Sequence, residues 1–386
     1  MQVEHLAGRR PRGRARAIGA SLAAALLVLT ACNGALDEEE AEITLDDEED
    51  ANGDAVAAED DDLETWDWTL QSYSIAGTEA HDYVEDWADR VNRLSAGRIN
   101  IDVQPGGAIV GYPEMREALT DGVLDIAVNA SGFFMGDDPA FAAWYNLPVL
   151  PQEDPELARY LARQWVYEWD GLELARELYE PFDIHTIGAV MVMNEPVHSL
   201  EPLETIEDFE GKVFRAAPGL TGAMFEAVGA EWQSMPGGEI YTALDTGVID
   251  GAEFVGFTEN FGLGLHEVAP YAQYPAFHSQ VPIVDVSIRT GIWEELPEHL
   301  QLMLEDSVRW LDMKLDHAIQ LRDYEMMEVL QEEHGVTITS LPEEDMAEVR
   351  ELAFEQAEAW AEESELSARF VESMFEFLEH TGHLEQ

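Results

Sequence analysis

The residues best suited to chemistry fall in one stretch, Lys212 to Gly256. There Val213-Phe214-Arg215 is followed by the turn Ala216-Ala217-Pro218-Gly219. Lys212 and Lys314 are the only lysines in the chain and arginine is sparse, so a cation directly after an apolar pair is not background. Arg215 sits where a short strand should end and a helix begin, the crevice end of an α/β sheet where ligands collect. A guanidinium there can hold a carboxylate through two parallel hydrogen bonds, which an ammonium cannot. Glu253, followed by Phe254, closes the stretch with a carboxylate in apolar surroundings. It reads either as a ligand residue or as the buried partner of Arg215. Tyr73, at the end of the first expected strand, can reach a cleft or equally serve as a core residue with its hydroxyl satisfied.

These residues need elements to hold them, and the sequence repeats one such element. Glu239 to Ala252 (EIYTALDTGVIDGA) aligns without gaps on Glu114 to Ala127 (EMREALTDGVLDIA). Each copy reads as an amphipathic helix, a glycine at the left-handed cap position (Gly122 or Gly247), and a short strand opened by an aspartate (Asp125 or Asp250). The interval is too long for a solenoid, so two lobes of similar design with a cleft between them are expected. The pattern elsewhere is alternating β/α: strands over Thr69–Ser74, Arg98–Val103 and Asp125–Val128, with helices over His81–Ser95 and Pro113–Thr120. The first of these helices should carry Tyr83, Trp87 and Val91 on one face. A largely parallel sheet with covered faces follows. Phe133-Phe134 and Trp144-Tyr145 should line or back the mouth of the cleft. Pro155–Tyr179 reads as helical and Asp183–Asn194 as apolar and extended; two long helices, Pro297–Glu333 and Glu343–His380, end the chain.

The central stretch resembles the signature of TRAP-transporter solute-binding proteins, the DctP-like dicarboxylate-binding superfamily. Gly211-Lys212-Val213-Phe214-Arg215, Pro218-Gly219, Glu239-Ile240-Tyr241 and Gly247 through Gly251 with Glu253 carry the likeness. Leu94 to Arg98, Gly106-Gly107-Ala108, Pro139-Ala140 and Trp293 to Pro297 extend it over roughly Trp66 to Arg350. Gly219-Leu220, Gly237-Gly238-Glu239 and Glu253 to Gly256 resemble the branch that binds 2-oxoacids and related monocarboxylates. The resemblance implies a two-lobed periplasmic-binding-protein-like α/β fold with a central cleft, hinge strands and long C-terminal helices packed on the lobes. Lobe I would be residues 66–187, completed by about 284–300, and lobe II 188–283, with the helices from 297 to 386. It implies a receptor that takes a small carboxylate, a 2-oxoacid or hydroxy monocarboxylate first, and hands it to TRAP membrane subunits. C4-dicarboxylates or sugar acids are the alternative. Arg215 would anchor the carboxylate and Phe254 shape an apolar wall. Where relatives have a polar cation ligand this chain has Val190, with Met191 beside it. Glu253 is left as the carboxylate for a sodium or calcium ion. His278 and Gln280 are secondary candidates, on the segment where relatives return to the first lobe, and some relatives dimerise through the long helices.

Ahead of the lobes, five arginines between Arg9 and Arg16 precede an apolar run from Ile18 to Leu29, the pattern of an export signal over residues 1–31. Leu29-Thr30-Ala31-Cys32 resembles a lipobox, and Cys32 is the only cysteine, so lipidation there, and export to the periplasm or cell surface with a lipid anchor in the membrane, are expected. Residues 32–65 are acidic and should form a disordered linker. The formal charge of −60 excludes nucleic acid as a partner and points to a fold that relies on high salt. An exported enzyme acting on a carboxylic acid is the competing class. Against it stands the absence of a Gly-x-Ser-x-Gly elbow, a His-Glu-x-x-His pair and a phosphate loop.

Overall fold

Two mixed sheets organise the structure, a computed structural model that describes residues 64–384. The expectations for residues 1–31, and for Cys32 and nearly all of the acidic linker, therefore lie outside the described residues. The first sheet contains β1 (Trp66–Ser72), β2 (Ile99–Gln104), β3 (Ile126–Asn129), β4 (Ile184–Met191) and the late strand β10 (Ile283–Arg289), in the order β2-β1-β3-β10-β4. The second contains β5 (Val197–Ser199), β6 (Val213–Arg215), β7 (Glu231–Gln233), β8 (Gly251–Ala252), β9 (Tyr271–Gln273) and β11 (Thr337–Thr339), in the order β11-β9-β5-β8-β6-β7.

β1 buries Trp66, Trp68 and Leu70 on alternate positions. The helix Glu79–Leu94 that follows is capped by Thr78, whose hydroxyl accepts from the His81 N–H, and buries Val84, Trp87, Ala88 and Val91 at helical spacing. Tyr83 lies at the margin of that face, beneath the Lys314 ammonium. β1 runs parallel to β2 and β3, but β10 is antiparallel to both β3 and β4, so the sheet is mixed, not largely parallel. The reason is connectivity: β10 re-enters the first sheet from the second and runs against its neighbours. β4 stays paired with β10 through Met191, opposite Ile283.

The repeated unit performs one structural task in both sheets. The Val123 N–H donates to Ala118 O across Gly122 (φ 73°), and the Val248 N–H to Ala243 O across Gly247 (φ 67°), both at 2.9 Å. Asp125 accepts the Thr69 N–H of β1 at 2.9 Å, and Asp250 the Val213 N–H of β6 at 2.8 Å. Each aspartate also donates its own N–H back to the same partner residue's carbonyl. The shared aspartates are thus pins that set the register of a parallel neighbour.

Three links join the sheets. The chain leaves β4 through Val192–Pro196 and returns through residues 274–282. Asn194 ties these two segments: its Nδ2 donates to Ala276 O (3.2 Å) and Ser279 O (2.9 Å), and its Oδ1 accepts the Ala276 N–H (2.7 Å). The third link is the helix Glu298–Glu332, which packs on β4 and on Glu79–Leu94 and, further along, on the helix Phe257–Gly262 of the second half. There Asp323 accepts the Phe257 and Thr258 N–H groups. Two expected helices are broken. Pro155–Glu168 and Gly171–Tyr179 are separate, and Glu343–His380 divides into Glu343–Ala361 and Glu365–Thr381 because Ser364 caps the second piece, accepting the Ser367 N–H. Among the described residues no helix is long and apolar enough to cross a membrane.

Candidate functional site

Residues at the C-terminal ends of β1, β6 and β8 line one cavity of about 520 Å³. The first half contributes Tyr73, Tyr112, Phe133 and Tyr145; the second contributes Arg215, Met235, Glu253, Phe254 and Glu259; Val192 and Glu195 come from the connection between them. The wall is mostly apolar and aromatic with a few charged groups, as a small-molecule site requires.

Arg215 is fixed before any solute arrives. Its Nη1 donates to the Glu253 carbonyl at 2.8 Å and lies 3.0 Å from Glu253 Oε1, while its Nε donates to Met235 O at 3.3 Å. The guanidinium carbon stands 4.9 Å from the centre of the Phe254 ring. Among the described residues Nη2 has no protein acceptor. A buried guanidinium with one edge committed and the other facing a cavity has the donor geometry to hold an anion. Gly237 allows Phe254 its place: a Cβ there would come within 2.5 Å of the ring.

Glu253 is fully buried, and its Oε1 accepts the Ala217 N–H as well as facing Arg215. Its Oε2 has no partner. Glu195, buried beside it, was not anticipated; the available signal was one acid inside the apolar run Val190 to Val197. Burial raises the pKa of both carboxyls, and Glu195 is raised furthest because it faces Glu253, which keeps Arg215 on its own side. Two buried carboxyls this close disfavour the state in which both are charged. Glu259, also unanticipated, is pushed up to about 7 by burial and by the charge of Asp323.

The remaining candidates separate. Tyr73 lines the cavity, and burial raises its phenol far out of its ordinary range. His278 does not line it but lies close to Glu253, its ring tilted against Phe225 at 5.0 Å between centres; both ring nitrogens lack a partner, and burial with the nearby Arg215 lowers its pKa to about 3. Gln280 is buried away from the cavity, donating to Phe277 O. Met191 is also a core residue: its side chain packs in the first half's core and its N–H donates to Asp312. Val190 packs on the opposite face of the same strand. Of the paired aromatics, Phe133 and Tyr145 line the cavity, whereas Phe134 and Trp144 belong to the core.

Two α/β halves around a cleft lined by a buried guanidinium define the class of two-lobed solute-binding proteins. More narrowly, the chain belongs to the DctP family, bacterial extracellular solute-binding protein, family 7, whose model matches residues 72–363. A monocarboxylate 2-oxoacid-binding periplasmic protein of Nostoc is 29% identical over 56% of this chain; the match spans 58% of that relative's length. A TRAP periplasmic solute-binding protein of Rhodobacter sphaeroides, in an apo open structure, is 30% identical with a TM-score of 0.68, covering 83% of this chain and all of that one. Two others share the fold: one from Pseudoalteromonas atlantica with bound sodium and pyruvate (21%, TM-score 0.71, 83% and 95% covered) and one from Colwellia psychrerythraea with bound calcium and pyruvate (20%, 0.71, 83% and 96%).

Proposed function

We propose that this chain is the extracytoplasmic receptor of a TRAP transporter and that it binds a small carboxylate, a 2-oxoacid or hydroxy monocarboxylate first among them. The observation that carries the reading is the unengaged Nη2 of Arg215, beside a partly open aromatic cavity whose size suits a small organic acid. The solute carboxylate sits on the guanidinium, Phe254 and Tyr145 cover its carbon skeleton, and closure of the halves excludes water, which strengthens the ion pair. Calorimetry against 2-oxoacids, hydroxy acids, C4-dicarboxylates and sugar acids in molar salt tests it. Failure of every carboxylate to bind with a dependence on Arg215 would remove the reading.

A cation bound with the solute is supported by the donor chemistry of the site. Glu253 Oε2 is a buried oxygen without a partner, and Glu195 and His278 lie within reach of the same point, so the residues fit a sodium or calcium ion. When bound, such an ion supplies positive charge beside Arg215 for the solute's oxygens.

The membrane side of the proposal rests on residues outside the described ones. Cys32 is read as the acylated first residue of the exported protein, tethered by its lipid and standing off on the acidic linker. Loss of radiolabelled lipid in Cys32→Ala is the expected result. A homodimer through the helix Glu298–Glu332 is proposed from the exposed Leu302, Met313 and Leu321 on it, and sedimentation of Met313→Glu against wild type tests this.

A further inference from the structure

The cavity carries more acid than the capture of one carboxylate calls for. We propose that Glu259 sets the solute class by opposing a second carboxylate: with one carboxylate of the solute on Arg215, a further anionic group meets Glu259, and the site takes monocarboxylates over dicarboxylates of the same length. The inference rests on the carboxylate-receptor reading of the same cavity and names the residue that narrows it.

The charges on the wall are unequal. Arg215 is the one lysine or arginine among the lining residues, against Glu195, Glu253 and Glu259. Glu253 stands 3.0 Å from Arg215, and Glu195 is grouped with Glu253, so the guanidinium and the ion read above answer for those two. Glu259 belongs to neither arrangement. Among the described residues it has no ion-pair partner within 4.0 Å, and its Oε1 is buried without a hydrogen-bond partner.

Glu259 is also held in place. It lies on the helix Phe257–Gly262, whose first N–H groups, on Phe257 and Thr258, donate to Asp323 at 3.0 and 2.9 Å. Asn260 closes the same turn, its side-chain amide donating to Val255 O and accepting the Val255 N–H. From this helix of the second half the Glu259 carboxyl meets the first half, where the Thr78 hydroxyl and the Ala80 N–H at the start of the helix Glu79–Leu94 favour its charged form. Burial raises the phenol of Tyr112, Arg215 pulls it back and Glu259 pushes it up again, so both charges reach one residue of the wall.

Nothing near Glu259 would welcome a second anion. The groups that face it are Asp323 from the helix Glu298–Glu332, Glu79 from the helix Glu79–Leu94, Glu195 from the link between the sheets, and the phenols of Tyr73 and Tyr112. Arg322, the cation on that side, is engaged by Glu79 at 3.2 Å. Like charges in a partly walled site repel more strongly than in water and are screened less by salt than surface charges are. A methyl group in the same place meets no such opposition, which is how a site tells apart two solutes of one shape.

Calorimetry on the full-length protein tests this with two matched pairs, 2-oxopentanoate with 2-oxoglutarate and 2-hydroxybutyrate with malate. Each pair exchanges a terminal methyl for a carboxylate. At about pH 8 wild type should prefer the monocarboxylate of each pair, and E259Q should shift the affinity ratio toward the dicarboxylate by about tenfold or more. E259D keeps the charge and should stay near the wild-type ratio; E259A serves if E259Q does not fold. Lowering the pH to about 6 protonates Glu259 and should move the wild-type ratio in the direction of E259Q, with the E259Q ratio unchanged. A merely structural role would move the melting midpoint and leave these ratios alone. Equal ratios in E259Q and wild type, a wild type that prefers the dicarboxylates, or a larger shift in E195Q than in E259Q would overturn the proposal, and the receptor reading would stand as long as binding still depended on Arg215. Binding of none of the four acids, or binding indifferent to Arg215, would remove the reading and the proposal together.

Discussion

Nη1 of Arg215 lies 3.0 Å from Oε1 of Glu253 and 2.8 Å from the same residue's carbonyl oxygen, with both side chains buried. One edge of the guanidinium therefore fixes the end of β8, and the residue also lines the cavity. The clamp and the strand end are built as one object.

Replacing Arg215 by Ala is expected to cost about 2–5 kcal/mol of carboxylate affinity, the usual loss when one member of a desolvated charge pair is removed. Arg215→Lys should not restore it, because one ammonium cannot serve Glu253 and the solute along two parallel directions. Calorimetry on the folded variants checks both, and near-equal affinity of Arg215→Ala and wild type for every acid would remove the residue from the site.

Gly237 and Gly238 form a matched pair. A Cβ at Gly237 meets the Phe254 ring at 2.5 Å, whereas one at Gly238 meets nothing within 4 Å. Gly237→Ala should push Phe254 toward the cavity and weaken binding by about 1–3 kcal/mol, the scale of overpacking, with Gly238→Ala close to wild type. Equal behaviour of the two would mean that Phe254 is not a wall of the site.

The register pins predict a stability effect far from any ligand. Asp250→Ala leaves the half-buried start of β6 without its acceptor and should cost about 1–3 kcal/mol in urea unfolding. Asp125→Ala should cost at least as much, since Asp125 also accepts from Arg289 Nη2 at 3.0 Å. The two sites share no partner, so the double variant should be additive to within about 0.5 kcal/mol.

Stability should respond to pH with opposite signs at two buried groups. Glu259 holds its proton up to about 7, above the unfolded carboxyl, so its contribution is present at low pH and lost as pH rises through that value. Glu259→Gln should accordingly gain in melting midpoint relative to wild type between pH 5 and pH 8. His198 is lowered to about 4 by burial and has no partner for either ring nitrogen. Its unfolded form binds the proton first, so stability falls as pH drops from the ordinary histidine range toward 4, and His198→Asn should flatten that fall.

A chain of formal charge −60 should also be stabilised by salt. Between about 0.1 and 1 M the screening length shrinks from about 10 to 3 Å, and the thermal midpoint should climb across that range. A flat midpoint would show that the acids lie too far apart, or too well solvated, to oppose folding.

What could be read from the sequence followed the physics that is local. The repeated helix–Gly–Asp unit was visible because left-handed glycines and register pins are set by a few neighbouring residues, and Arg215 was visible because cations are scarce. The direction of β10 and the core position of Met191 depend on partners about ninety residues away or more, which periodicity does not reveal. Glu195 was missed for the opposite reason. In a chain with 80 acidic residues, one acid inside the run Val190 to Val197 is a faint signal until its burial is seen.

The amide of Asn194 grips both strips of chain that run between the sheets, through Ala276 and Ser279. Two separate straps would let the halves shear or twist past one another; stitched together, they act as the spine of a book. Any swing of the covers must then turn about that spine, and the same stitch sits one residue from Glu195, so the line of rotation passes beside the charges that the solute meets.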